Sequence, residues 1–224
     1  MSVTLPLQAL SIPPANGASP HGLLVILHGW GANAQDVAAV ASYLTLPADQ
    51  LLFPNGPHPY PYMPSGRVWY NFPPEYQFDE LPNVEQQADL QQSRKLLMEW
   101  MLSLESTTGV PLDRTVLAGF SQGGAMTMDV GTQLPLAGLM VLSGYLHGAL
   151  SPMAGRRSPV LMVHGRQDMV VPVAAAHHAK QTLTDLGFAV DYHELDMGHE
   201  ISPQVLTFMQ NFTQEIRSSI PERE

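Results

Sequence analysis

The sequence predicts an α/β fold in which helices cover both faces of a mostly parallel sheet. Short apolar runs, most of them closed by glycine, recur along the chain, and stretches with helical spacing of apolar residues separate them. Runs that are apolar throughout are typical of strands buried on both faces. Their alternation with helices is typical of βαβ units. With 224 residues, we expect one domain that spans residues 1–224.

The strands and helices can be placed from these patterns. The predicted buried strands are 22–29, 49–56, 114–120, 136–144 and 158–165. Residues 189–195 are predicted as a last strand, and residues 3–10 are expected to add an antiparallel edge strand. Predicted helices cover 33–44, a long segment from Asn83, segments beginning near Gln122 and Pro172, and 204–216. In the long segment, Asn83 and Gln86 have the spacing of a capping box. Its apolar residues then fall on one helix face.

Residues 54–82 interrupt this alternation. The segment is rich in proline and in aromatic residues, which makes it unsuitable for a helix and too apolar for a disordered linker. We expect a long ordered loop packed over the edge of the sheet, because long ordered loops in compact domains often carry function.

Composition narrows the classes of partner. The net charge is -10, with 10 basic and 20 acidic residues and no cysteine. An acidic chain without basic runs is a poor ligand for nucleic acid or for an anionic membrane surface. Without cysteine, no disulfide requires an oxidising compartment. We find no secretory signal pattern and no run long enough for a membrane span. A cytoplasmic protein without nucleic-acid or integral-membrane partners is therefore expected.

The stretch GFSQG, residues 119–123, lies where a predicted strand turns into a helix. This is the pattern of a nucleophile elbow, in which a tight turn lifts a serine hydroxyl clear of the sheet. Such a serine needs a histidine as base and a carboxylate to orient that histidine. Asp168 and His199 follow the next strands in the order that the fold requires, 47 and 31 residues further on (168 − 121 and 199 − 168). Ser121, Asp168 and His199 are thus the predicted catalytic residues.

Other interpretations remain open for these positions. Asp168 also suits a turn before the helix near Pro172, and the chain has 9 histidines. Their spacing does not resemble a metal site, so we expect no metal. For an oxyanion hole, the backbone N–H groups of Gln122 and Trp30 are the candidates, although the HGWG stretch also suits a plain turn at a strand end.

The motifs LHGWG, FPNGP, GFSQGGAM, LSGYL, HGRQDMVVP and MGHE, in this order, resemble the phospholipase/carboxylesterase family of the α/β-hydrolase fold. The resemblance runs from about residue 22 to residue 217. It implies the same triad and oxyanion donors, hydrolysis of carboxylic esters or thioesters, and no cofactor. It also places Trp30 and Val170 at the border of an acyl pocket. The family often has leucine at the Trp30 position and aspartate at the Asn71 position.

The expected function is a serine carboxylesterase that acts on short to medium acyl chains, because the Trp30 indole would shorten the pocket. Met63 and Trp69 in the aromatic loop are further candidates for the substrate pocket, and each also suits plain packing. The alternatives are an acyl-protein thioesterase or lysophospholipase acting on long acyl chains, and a ligand-sensing hydrolase with slow turnover. The expected partner is a small-molecule ester or thioester. A homodimer contact through the apolar loop is left open.

Overall fold

The computed structural model describes residues 6–73, 78, 87–155 and 157–220. Its main sheet has seven strands in the order β1-β3-β2-β6-β7-β8-β9. The strands are β1 (Ala9–Ile12), β2 (Gly22–Leu27), β3 (Asp49–Pro54), β6 (Thr115–Phe120), β7 (Gly138–Leu142), β8 (Val160–Gly165) and β9 (Val190–Leu195). All neighbouring pairs are parallel except β1 with β3. Two short strands, β4 (His58–Pro59) and β5 (Arg67–Val68), form a separate antiparallel pair.

Five α-helices lie between or after the strands within the described residues. They are α1 (Ala34–Ala38), α2 (Ala88–Thr108), α3 (Gln122–Gly131), α4 (Val173–Asp185) and α5 (Pro203–Ser219). None of these helices combines the length and the apolar character that crossing a bilayer requires.

Two hydrophobic layers hold the helices on the sheet. On one face, buried residues of α2, α3 and α4 pack with alternate residues of the central strands, such as Leu117 and Met162. On the other face, buried residues of α1 and α5 pack with the residues that point the opposite way, such as Ala118 and Leu161. Successive strand residues face opposite sides of a sheet, so strands that are apolar throughout are covered on both faces, as expected.

The strand predictions are confirmed within a few residues, and the edge strand shows the largest displacement. It is antiparallel, as predicted, and among the described residues it occupies Ala9–Ile12, while positions 3–5 of the predicted strand lie outside the described residues. Pro6 lacks the N–H that a strand ladder needs, and Pro13 follows the strand end. The two prolines therefore limit the strand to the residues between them.

The helix predicted at 33–44 is shorter than expected. Asn33 forms a complete capping box with Asp36, but the α-helix ends at Ala38 and residues 39–43 form a 3₁₀ helix. The Ser42 hydroxyl donates to the Ala39 carbonyl (2.9 Å) in this tighter coil. The predicted capping pair Asn83 and Gln86 lies outside the described residues, and the described helix α2 begins at Ala88.

The aromatic segment contains ordered structure in its described part. The β4–β5 pair brings Tyr60 back toward Gly66, with a hydrogen bond from the Tyr60 N–H to the Gly66 carbonyl (2.9 Å). The Gly31 N–H donates to the Arg67 carbonyl (3.0 Å). The hairpin is therefore fastened to the loop that follows β2, beside the carboxyl ends of the strands.

Candidate active site

Ser121 stands at the turn between β6 and α3. Its backbone has φ 55° and ψ −116°, a conformation that costs energy for a residue with a side chain. The Ser121 N–H donates to the Leu142 carbonyl at the end of β7 (2.8 Å), so the strained residue is tied to the neighbouring strand. Ser121 is 8% exposed. The turn thus holds the hydroxyl at the carboxyl edge of the sheet, just beneath the surface.

The glycines on either side of Ser121 are required by close backbone contacts. A Cβ atom at Gly119 would lie 2.1 Å from the Gly123 carbonyl oxygen, and one at Gly123 would lie 2.4 Å from the Leu27 carbonyl oxygen. Real Cβ atoms do not approach backbone this closely. The first turn of α3 is therefore packed directly against the end of β2, which carries the next loop of the site.

Asp168 and His199 form a hydrogen-bonded pair. The His199 Nδ1 atom lies 2.7 Å from Asp168 Oδ2. Because a carboxylate only accepts, Nδ1 carries the proton and Nε2 has a lone pair to accept another. The other carboxylate oxygen of Asp168 accepts from the backbone N–H groups of Val170 (2.9 Å) and Val171 (2.8 Å). The acid is thus held by its own loop.

The imidazole of His199 lies beside the elbow. Its ring centroid is 4.7 Å from that of Phe120, the residue before Ser121. The His199 side chain is 17% exposed, whereas that of Asp168 is fully buried. The fold therefore brings the three predicted catalytic residues to one edge of the sheet, with the histidine between solvent and the buried acid.

The loop after β2 lies against Ser121. A Cβ atom at Gly29 would be 3.4 Å from the Ser121 Cβ atom, so the backbone of Gly29 and Trp30 passes close to the hydroxyl. Among the described residues, the Trp30 N–H has no hydrogen-bond partner. Gln122 is the first residue of α3, and N–H groups in a first helical turn have no partner within the helix. Both predicted oxyanion donors lie beside the serine.

His28 fixes the shape of this loop, a role that the sequence analysis missed. The Gly56 N–H donates to His28 Nε2 (2.9 Å), so Nδ1 carries the proton and donates to the Gly29 carbonyl (2.8 Å). Burial lowers the pKa of His28 to about 4, although the hydrogen bond to Gly29 opposes the shift. The neutral imidazole therefore connects the Gly29 turn to the loop after β3.

Trp69 was predicted to line the substrate pocket, but its side chain is fully buried, so it offers no surface to a substrate. Its indole N–H donates to the His28 carbonyl (3.0 Å), and its backbone N–H donates to the Gln122 side chain (2.9 Å). The Gln122 side chain also donates to the Tyr70 carbonyl (2.8 Å). Trp69 is thus a core residue that joins the two loops with the predicted oxyanion donors.

The other predicted pocket residues are exposed. Trp30 is 38% exposed, Met63 49% and Val170 53%, and Met169, which the sequence analysis did not select, is 93% exposed. The Trp30 indole is in edge contact with the Tyr60 ring (4.7 Å between centroids). It also contacts the Phe72 ring (5.5 Å). Trp30 is therefore held between aromatic neighbours next to Ser121.

A buried polar chain supports the aromatic loop from behind. The hydroxyls of Tyr70 and Tyr145 are hydrogen-bonded (2.7 Å), and Tyr70 also reaches His147 Nδ1 (3.1 Å). His147 Nε2 bonds Asp129 Oδ2 (2.7 Å), which is also paired with Arg94. Burial raises the pKa of Asp129, but the hydrogen bonds and charges of His147 and Arg94 outweigh burial and lower it. Asp129 is therefore ionised.

The remaining histidines are distributed over the surface and core. His177 is half exposed and pairs with Glu194 (2.5 Å), and His193 pairs with Asp191 (3.0 Å). In the described part of the chain, no three histidine, aspartate or glutamate side chains come together as a metal would require.

The carboxyl edge of the sheet contains the parts for acyl transfer: a serine hydroxyl, an oriented imidazole and unpaired backbone donors.

This sheet order, the elbow after β6 and the acid and histidine after later strands define an α/β hydrolase. The family model described as phospholipase/carboxylesterase matches residues 14–217. The chain belongs to this family.

Individual relatives agree with the family match. Acyl-protein thioesterase 1 of Neurospora crassa is 32% identical over 125 residues, which cover 51% of each chain. This match and the one to the Gibberella zeae counterpart span about half the length of those relatives. Acyl-protein thioesterase 1 of Schizosaccharomyces pombe is 27% identical over 210 residues, which cover 88% of this chain and 91% of the relative.

Solved structures resemble more than nine tenths of the chain. The crystal structure of esterase PE8 has a TM-score of 0.84 at 30% identity and covers 94% of this chain and 99% of its own. A phospholipase/carboxylesterase from Dyadobacter fermentans has a TM-score of 0.72 at 24% identity and covers 93% of this chain and 96% of its own. The second likeness supports the fold alone.

Proposed function

We propose that the protein is a serine hydrolase that cleaves carboxylic esters with short to medium acyl chains. The observation that carries this proposal is the 2.7 Å hydrogen bond between His199 Nδ1 and Asp168 Oδ2, with the imidazole packed beside the elbow of Ser121. This bond leaves His199 Nε2 as the proton acceptor, which a serine nucleophile needs.

In the proposed mechanism, His199 Nε2 takes the proton of the Ser121 hydroxyl while the serine oxygen attacks the ester carbonyl. The Trp30 and Gln122 N–H groups bind the negative oxygen of the tetrahedral intermediate. His199 then gives its proton to the departing alcohol, which leaves an acyl group on Ser121. Water repeats these steps and releases the acid. Each oxyanion donor contributes roughly 3 to 4 kcal/mol to such a transition state.

The preference for shorter chains rests on Trp30. Its indole is fixed between the rings of Tyr60 and Phe72, and the backbone N–H of the same residue is a proposed oxyanion donor. A large side chain held at this position leaves less room for an acyl chain beside the reacting carbonyl. Leucine has a smaller side chain, so Trp30→Leu is expected to lengthen the chains that the site accepts.

A thioesterase acting on long acyl chains is the second candidate, and the names of the relatives from Neurospora crassa and Schizosaccharomyces pombe favour it. The same triad would serve, because a thioester carbonyl is attacked in the same way. A profile of kcat/KM over p-nitrophenyl esters from acetate to palmitate, with the matching acyl thioesters, separates the two. A maximum at palmitate that Trp30→Leu leaves unchanged would reject the short-chain proposal.

The test of the chemistry is turnover by the wild type and by Ser121→Ala, with Ser106→Ala as the control. Ser106 lies on the exposed side of α2, where, among the described residues, its hydroxyl bonds only the Ser103 carbonyl (2.8 Å). We expect the Ser121 variant to lose kcat by about a million-fold and the Ser106 variant to match the wild type. Equal rates for wild type and Ser121→Ala would reject the enzyme proposal. A single turnover followed by a stable acyl-enzyme would instead favour a ligand sensor.

A further inference from the structure

His164 lies at the end of β8, two strands along the sheet from β6, which precedes the nucleophile, and it plays no part in the mechanism proposed above. It is 1% exposed. Its Nε2 atom is 2.9 Å from the Val171 carbonyl oxygen. Since a carbonyl oxygen only accepts, the Nε2 atom of His164 carries the proton and donates it to Val171.

The Val171 carbonyl belongs to the short loop that carries the acid. Asp168 Oδ1 already holds this loop from its N–H side, through Val170 and Val171. His164 holds it from the carbonyl side. The same Nε2 atom of His164 lies 3.5 Å from Asp168 Oδ2, the oxygen that binds His199. Two imidazoles therefore face one carboxylate oxygen, at 2.7 Å from His199 and 3.5 Å from His164.

We propose that His164 is a positioning residue for catalysis. Its Nε2–H fixes the Val171 carbonyl and faces Asp168 Oδ2, so that the carboxylate keeps the orientation in which Oδ2 binds the Nδ1–H of His199. This inference rests on the proposed hydrolase function. It assigns to His164 an effect that acts through Asp168 and His199 and not through contact with substrate.

The charge state of His164 matters for this role. The ionisable groups around it are Asp168 in the following loop, His199 in the loop after β9, and Glu194 on β9. Burial lowers the pKa of His164, while the Val171 bond and the two carboxylates oppose burial and His199 adds to it. A neutral His164 donates a hydrogen bond without cancelling the negative charge of Asp168. That charge remains available to stabilise the His199 imidazolium.

A role in loop closure alone would require the donor but would not affect the acid–histidine bond. The NMR signal of the His199 Nδ1–H separates these two roles, and glutamine and leucine test whether the donor is needed. The side-chain amide of glutamine reaches about as far as His164 Nε2 and offers an N–H donor, whereas leucine fills a similar volume and offers none. His164→Gln is therefore the conservative variant, and His164→Leu removes the donor.

The experiment measures kcat and KM with p-nitrophenyl acetate for both variants, together with the low-field proton NMR signal of the His199 Nδ1–H without substrate. For His164→Leu we expect kcat to fall between about tenfold and a hundredfold, as for a misplacement of catalytic groups on the order of 1 Å. KM should stay within about twofold, since substrate contacts are unchanged. The low-field signal should shift or broaden. His164→Gln should recover most of the wild-type kcat and the wild-type position of the low-field signal.

Wild-type kcat and an unchanged signal in His164→Leu would overturn the proposal. Equal defects in the two variants would also overturn it, because the defect would then follow ring shape rather than the donor. If His164→Leu does not fold, nitrogen NMR of the wild type decides: a neutral ring protonated at Nε2 at neutral pH supports the role, and a doubly protonated ring contradicts it. The low-field signal needs no turnover. If this signal shifts in His164→Leu but the wild type hydrolyses no ester, the hydrolase proposal is wrong. The proposal that His164 positions the Asp168 carboxylate is then still supported.

Discussion

The contact between Gly123 and the end of β2 permits a prediction with a magnitude. A Cβ atom at Gly123 would lie 2.4 Å from the Leu27 carbonyl oxygen and 2.7 Å from that of His28, whereas ordinary contact begins at 3.4 Å. Gly123→Ala must therefore push the two backbones apart by up to about 1.0 Å, the difference between 3.4 and 2.4 Å. The displaced segment leads directly into Gly29 and Trp30, next to the serine.

A shift of about 1 Å in groups that position a reaction can cost on the order of a hundredfold in rate. We expect a loss of that size in kcat/KM for p-nitrophenyl acetate. Overpacking costs about 1 to 3 kcal/mol, while alanine in a helix regains up to about 1 kcal/mol over glycine. The net loss in the free energy of unfolding should therefore be at most about 2 kcal/mol, measured by urea denaturation.

Gly124→Ala is the matched comparison, because it has the same change of residue in the same helical turn. Its Cβ atom would lie 3.0 Å from the Gly144 Cα atom, so only about 0.4 Å of movement is needed, the difference between 3.4 and 3.0 Å. We expect this variant to keep activity within about tenfold and stability within about 1 kcal/mol. Gly123→Ala with wild-type activity and stability, or a larger defect in Gly124→Ala, would show that these backbone contacts do not set the geometry of the site.

Three further predictions concern charged and titratable groups. Asp168→Asn should lower kcat by about ten-thousand-fold by changing the tautomer of its partner imidazole, with little change in the urea midpoint; a loss under tenfold in stopped-flow rates would contradict this. Asp129→Ala should lower the free energy of unfolding by about 3 kcal/mol, because His147 and Arg94 lose their buried partner; a Tm equal to that of the wild type would count against it. The pKa of His28 is lowered from 6.5 to about 4, so between these pH values the unfolded chain binds a proton that the native protein excludes. The free energy of unfolding therefore decreases as the pH is lowered from 6.5 to about 4. Relative to His28→Gln, the wild type should lose about 3 kcal/mol between pH 7 and pH 4, and parallel pH dependences in urea unfolding would disprove this.

The parallel strands other than β9 were predictable because each was a largely apolar run bounded by glycine or a turn. A strand covered on both faces has no polar positions, and this signal does not depend on distant residues. The elbow at Ser121 was predictable because its pattern of glycines around a serine is local in sequence. Gly119 is needed by a contact within the turn, whereas the need for Gly123 comes from the end of β2.

The roles of Trp69 and His28 were not predictable, because they depend on segments distant in sequence. Trp69 lies in a loop without periodicity, so nothing local separates a buried indole from an exposed one. Its partners, His28 and Gln122, are 41 and 53 residues away. The Asp129–His147–Tyr70 chain was missed for the same reason, since its members come from a helix and two separate loops.

The arrangement of the indoles has a practical consequence. Of the three tryptophans, Trp69 and Trp100 are buried and Trp30 is 38% exposed. A small collisional quencher such as iodide will therefore reach one emitter, which lies in the loop beside Ser121 and receives excitation energy from Tyr60 at 4.7 Å. Intrinsic fluorescence of the unlabelled protein becomes a direct optical readout of molecules entering and leaving beside the nucleophile.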